Sequence, residues 1–140
     1  MNKPVEIIIH CSATRINAGR RYTVDQLRKD HLANGWSDIG YHFYITVDGI
    51  IHRCRPISKS GAHCLGHNDT SIGVCYEGGL DADMHPSDTR TEAQKQSLNK
   101  LIFDLKLKYP IKHIYGHRDF AKKSCPCFDA HLEYDIKCKF

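Results

Sequence analysis

Short apolar, β-branched runs alternate along the chain with two stretches of helical periodicity, and this pattern predicts most of its elements. Val5 to His10 is a compact β-branched run followed by polar residues. It reads as a buried central strand whose C-terminal end presents His10. Thr23-Val24-Asp25-Gln26 fits a capping box, and Leu27, His31 and Leu32 follow at helical spacing before Asn34-Gly35, so a helix is expected over about residues 24–34. Tyr41 to Val47 is rich in aromatic and β-branched types, and Asp48-Gly49 is expected to join it to Ile50-Ile51-His52-Arg53 as a hairpin. Ser71 to Glu77 reads as a further strand, ended by Gly78-Gly79, and Leu80 to Arg90 as a loop. Thr91-Glu92-Ala93-Gln94 is a second capping box, and Leu98, Leu101, Ile102 and Leu105 repeat at i, i+3, i+4 and i+7 in a helix that stops before Pro110. Lys112 to Gly116 is a short strand ending at His117, followed by a structured loop over 118–128 and a short helix around 129–136. Strands interleaved with helices, one hairpin included, predict an α/β fold: a single domain over 1–140 with a central mixed β-sheet flanked by helices.

Composition narrows the class. With 140 residues and 41% hydrophobic content the chain can bury a real core, and intrinsic disorder is excluded. The longest apolar runs, such as Ile7-Ile8-Ile9, fall far short of the ~20 residues of a membrane span. No membrane partner is expected. Twenty basic against sixteen acidic side chains leave +4, dispersed except at Arg20-Arg21 and Lys122-Lys123, which argues against a dedicated nucleic-acid partner. The N-terminus has no apolar h-region, so no secretory leader is expected. Seven cysteines, at 11, 54, 64, 75, 125, 127 and 138, form an odd set partly embedded in apolar runs, which reads as reduced thiols in a reducing compartment.

Ten histidines and seven cysteines invite a metal reading, but zinc needs three or four ligands converging in space. The stretch Gly61-Ala62-His63-Cys64-Leu65-Gly66-His67-Asn68-Asp69 has ligand-like spacing without paired C-x-x-C knuckles, so His63 is read as a cleft residue. A more economical set is His10 at one strand end, His117 at another, and Cys125 in the loop that follows, because strand ends at one sheet edge deliver side chains to one point. Buried structural histidines and a free thiol account for the same spacing, and that alternative stays open on these residues alone.

The ordered segments His10-Cys11-Ser12-Ala13-Thr14, Gly35-Trp36 with Gly40-Tyr41-His42-Phe43, Asp48-Gly49, Ser71-Ile72-Gly73-Val74, Gly116-His117-Arg118-Asp119, and Lys123-Ser124-Cys125-Pro126 with Phe128-Asp129 resemble the type 2 N-acetylmuramoyl-L-alanine amidases. Within that group the spacing is most similar to the T-seven-type phage lytic amidases, relatives of the peptidoglycan recognition proteins. The match runs from residue 5 to about 135. The resemblance implies that His10, His117 and Cys125 bind one Zn2+, that Tyr41 and Lys123 occupy the family's two further catalytic positions, and that His63, Asn68 and Ser71 lie in the substrate-binding stretch. His42 and Trp36 are expected to be packing residues.

The implied chemistry is hydrolysis of the amide between N-acetylmuramic acid and L-alanine in peptidoglycan. Zinc lowers the pKa of water from 15.7 to about 7 and polarises a carbonyl. One thiolate and two neutral imidazoles leave a net positive site of reduced Lewis acidity, so the Lys123 ammonium has an oxyanion to stabilise. Tyr41 can orient water or donate a proton near the leaving amine.

Cys127 departs from the family pattern, where a small Gly or Ser is usual, and is able to compete for zinc or to be oxidised. Cys64 and His67 are also departures and are expected to alter the cleft. Two other functions stay in view: a non-catalytic peptidoglycan-binding protein of the same fold, which would have no use for Cys125, Tyr41 and Lys123, and a phage-type regulator of RNA polymerase. Only nine residues precede His10, so polymerase binding is not expected. A monomer made in the cytoplasm, without a wall-binding module and acting on the cell wall after release or export, completes the expectation.

Overall fold

A computed structural model describes residues 1–16 and 19–136; Cys138 lies outside the described residues. In chain order the elements are β1 (Glu6–Cys11), β2 (Thr14–Arg15), α1 (Val24–Ala33), β3 (Phe43–Ile45), β4 (Ile51–Arg53), β5 (Ser71–Tyr76), β6 (Gly79–Leu80), α2 (Glu92–Lys108) and β7 (His113–Gly116). A 3₁₀ turn, His117–Asp119, follows β7, and a short segment of π-type winding spans His131–Ile136. The main sheet has the order β4-β3-β5-β1-β7, parallel throughout except for the antiparallel β3/β4 pair. It is the mixed sheet that the α/β pattern predicts. Among the described residues no helix is long and apolar enough to cross a membrane.

Strand alternation sorts side chains between the two faces. Ile7, Ile9, Phe43, Ile45, Ile72 and Val74 pack against the α2 residues Leu98, Leu101, Ile102 and Leu105. Tyr44 and Cys75 join Leu27 of α1 and Ile39 on the opposite face. Both helices start at their predicted caps. Thr23 accepts from the Gln26 N–H, and Thr91 and Gln94 form the reciprocal capping box, with Oγ1 accepting at 3.1 Å and Oε1 at 2.9 Å.

Two local expectations change. The hairpin is shorter than Tyr41 to Arg53 because Thr46 Oγ1 bonds Asp48 Oδ1 at 2.6 Å and the Gly49 N–H bonds the Thr46 carbonyl at 2.8 Å, so ladder pairing stops at Ile45 and Ile51. Polar side chains there take over the backbone's partners. Downstream, Gly79–Leu80 is not loop but pairs in parallel with Thr14–Arg15. It continues the β1/β5 pairing beyond a break, and two residues are too few to leave a periodic signal.

The C-terminal region is fastened by Arg90, whose side chain is only 2% exposed. Its guanidinium donates to Asp88 at 2.9 Å, to Glu133 at 2.8 Å and to the Tyr134 hydroxyl at 2.8 Å, and lies 3.4 Å over the Phe128 ring. Phe128 closes the loop that carries Cys125. Hydrogen bonds from Arg90 hold the Glu133 carboxyl below its ordinary value, and at Asp88 they outweigh the upward push of burial. Both folded values are depressed, so this stabilisation is complete above the unfolded carboxylate range of about 3.9–4.3 and fades as pH falls through the folded values. Arg90→Met is expected to lower stability at neutral pH by about 3 kcal/mol, the low end for breaking a buried pair, because the two carboxylates are 34% and 44% exposed. The variant's stability should also fall less steeply with acid. Denaturant melts at neutral pH and at about pH 3 check both points, and an unchanged midpoint at neutral pH would contradict the fastening role.

Candidate metal centre

In the β1/β7 pairing Ile9 lies opposite Gly116, and Ile7 opposite Ile114. Ile7, Ile9 and Ile114 belong to the α2 core, so the next residues, His10 and His117, project together from the other face. Their ring centroids are 4.7 Å apart. The loop from Arg118 brings Cys125 back to the end of β1, where the Cys11 N–H donates to Cys125 Sγ at 3.2 Å and the Arg118 N–H to the Cys125 carbonyl at 2.7 Å. Ligand atoms of His10, His117 and Cys125 lie within 4.8 Å of one another. His10 is 1% exposed, whereas His117 and Cys125 are half-buried, and His117 lines a groove.

Behind His10 runs a chain of hydrogen bonds whose polarity follows from its last acceptor. Ser71 Oγ donates to the His67 carbonyl at 2.6 Å, which leaves Oγ to accept from His63 Nε2–H at 3.1 Å. Burial, with His42 and His117 nearby, lowers the His63 pKa to about 3, so the ring is neutral and its Nδ1 is an acceptor. His10 Nε2, 2.8 Å away, is therefore the donor. This tautomer, assigned from the hydrogen-bond network, leaves the lone pair of His10 Nδ1 unused. Gly73 makes room for the chain: a Cβ there would lie 2.7 Å from the His63 ring.

Burial, reinforced by His63, His117 and Lys123, holds the His10 imidazole well below its ordinary value. Burial and Lys123 lower His117 in the same direction. Both rings are thus neutral at neutral pH, the form in which imidazole ligates a metal. The neutral imidazoles and the thiol supply the nitrogen and sulfur donors that zinc prefers, three in number as in sites that keep a position for substrate. The donor set fits zinc. Among the described residues one other group comes together, Asp81, Asp83 and His85. There Asp81 Oδ1 is taken up by the N–H groups of Asp83 and His85.

A groove of about 570 Å³ opens over the centre, lined by Tyr41, His63, Asn68, His117 and Lys123 and flanked by Trp36 and Leu65. The Tyr41 ring lies 4.9 Å from His10; burial, then the neighbouring Cys75 and Cys125, push its hydroxyl well above the ordinary value, so it remains a phenol. Of the expected substrate-binding residues, Asn68 lines the groove, but its Oδ1 is occupied by the N–H groups of His63 at 2.9 Å and Cys64 at 3.0 Å. His63 reaches the groove with both ring nitrogens engaged. Ser71 is corrected: it is fully buried beneath His63, and its place is in the chain to His10. Trp36, expected to be packing, stands edge-on to His31 at 4.6 Å and also faces the groove, 38% exposed. His42 is the packing residue anticipated, fully buried between the Gly73 N–H and the Lys59 carbonyl. His67 is no ligand; its ring lies 3.9 Å from that of Phe120 and its Nδ1 2.7 Å from Glu6. Nothing in the local spacing marked the His63 to His10 contact, which depends on a loop folding back over the sheet.

The family model for N-acetylmuramoyl-L-alanine amidase matches residues 1–128. The endolysin of Klebsiella phage KP32 is 42% identical over 124 residues, covering 89% of this chain and 81% of that protein. The endolysin of Escherichia phage T7 is 40% identical over 123 residues, with coverage of 88% and 80%. Among solved structures, the N-acetylmuramoyl-L-alanine amidase LysC from Clostridium intestinale URNW superposes with a TM-score of 0.80 at 32% identity, over 94% of this chain and 82% of the other. With a strand-end His/His/Cys centre beneath an open groove and a family match over nearly its whole length, this chain belongs to the N-acetylmuramoyl-L-alanine amidase family.

Proposed function

We propose that this protein is a zinc-dependent amidase that hydrolyses the bond between the lactyl group of N-acetylmuramic acid and L-alanine, detaching stem peptides from peptidoglycan. One observation carries the reading: His10, His117 and Cys125 converge below a groove that Tyr41 and Lys123 also line, in a chain of the amidase family. Zinc bound by these three residues supplies a Lewis acid and water of lowered pKa. The protein's own groups do the rest. His63 accepts from His10 Nε2–H and fixes the ring, so Nδ1 would be the nitrogen left to hold zinc, without a tautomer change. Lys123, exposed at the groove wall, carries a positive charge to the carbonyl oxygen as negative charge develops there. Tyr41, kept protonated and lining the groove, supplies a phenol that can turn toward a water or the leaving nitrogen when substrate is bound. The substrate reaches the site at the wall after release or export.

The expected zinc content is one per chain, lost in His10→Ala, His117→Ala and Cys125→Ser; metal analysis of the three variants checks this, and full zinc in any of them would remove that residue from the ligand set. Chelation should stop release of stem peptides from purified peptidoglycan, and added zinc should restore it.

Lys123→Ala is expected to reduce turnover by about a hundred- to a thousandfold, the usual loss on removing one oxyanion stabiliser, while zinc content and fold stay intact. Near-normal turnover would reduce Lys123 to a solvated surface lysine. Ser71→Ala removes the last partner of the His63 chain and should weaken zinc affinity by about 10–100-fold, as loss of a ligand's orienting partner does. Competition with a calibrated chelator measures it, and unchanged affinity would mean that His10 is oriented by packing alone.

A further inference from the structure

Beside the metal centre lies a pair of thiols that the proposed reaction does not use. Cys11 Sγ and Cys127 Sγ are 3.8 Å apart, joining the end of β1 to the loop residue two past Cys125. A disulfide needs its sulfurs at about 2.05 Å, so the two thiols, already neighbours, must draw closer to bond. Three features converge on the pair. Cys127 has φ 70°, a left-handed conformation that a side chain adopts at some cost, and its N–H bonds the Ser124 carbonyl at 2.6 Å, so the loop doubles back toward β1. Gly79 covers the sulfurs: a Cβ at that position would lie 2.6 Å from Cys11 Sγ and 3.5 Å from Cys127 Sγ. Cys11 is 4% exposed while Cys127 is half-buried, giving one accessible thiol and one protected partner.

We propose that Cys11 and Cys127 form a thiol–disulfide modification site that bridges the ligand-bearing loop to β1 when the protein meets a small-molecule disulfide. Cys127, the more accessible thiol, attacks one sulfur of the reagent and expels the other half as a thiol. Cys11 then attacks the Cys127 sulfur of the mixed disulfide and expels the second half. Two protein thiols become one disulfide and the reagent is reduced to two thiols, which take up the two protons. The bridge spans chain positions 11 and 127, and so ties nearly the whole chain into one loop without involving Cys125.

The test uses the zinc-supplemented full chain treated with glutathione disulfide and mapped by mass spectrometry without reduction. Expected are a peptide pair cross-linked through Cys11 and Cys127, a loss of two titratable thiols, zinc retained, and a rise in Tm of roughly 5–15 °C that dithiothreitol reverses. Cys127→Ser should abolish the cross-link and the Tm rise while keeping zinc and amidase turnover. The cross-link should still form in Cys125→Ser. Persistent glutathione adducts without the bridge, or a bridge from Cys11 to Cys125 accompanied by zinc loss, would overturn the proposal.

Discussion

The parallel pairing of β1 with β7 is the constraint on which the rest of the centre depends. Opposing Ile9 to Gly116 sends Ile7, Ile9 and Ile114 into the α2 core and leaves His10 and His117 side by side on the other face. A slip of one residue would exchange the two sets, burying a histidine among leucines and exposing isoleucines, so hydrophobic burial itself enforces the register that brings the two imidazoles together.

The same register places a polar ring where it is almost wholly removed from water, and such a group must be hydrogen-bonded. His63 meets that need from a loop, Ser71 meets the need of His63 from β5, and a backbone carbonyl ends the chain. Because the terminal acceptor has no proton to give, every donor in the series is fixed in direction. Structural satisfaction and ligand preparation are thus one arrangement. On the groove side the logic reverses: Lys123 stays exposed and helps to keep His10 and His117 neutral, while Arg90, gripping Asp88, Glu133 and Phe128, fastens the segment that delivers Cys125.

The main architecture was legible because its signals are periodic or local. The run at Ile7-Ile8-Ile9, the two capped helices and the apolar spacing of Leu98, Leu101, Ile102 and Leu105 all appear where the pattern placed them. The ligand cluster was legible as three strand-end or loop residues, and the resemblance singled them out; their ligand atoms do converge. What stayed hidden is non-local. The resemblance placed Ser71 in the substrate-binding stretch; it does share the sheet face of His10, but the His63 ring lies over it and covers it. The β2/β6 pair is too short for periodicity, and the approach of Cys11 to Cys127 depends on a left-handed turn after Pro126 that the residue type at 127 would not predict.

What separates an amidase from other wall-degrading enzymes is the bond that is broken. Purified peptidoglycan digested by the zinc-loaded protein, with products sequenced by tandem mass spectrometry, should yield free stem peptides beginning with an unblocked L-alanine and glycan strands whose N-acetylmuramic acid carries a free lactyl carboxylate. New reducing sugar ends, or peptides cleaved within the stem while L-alanine remains attached to the sugar, would contradict the account.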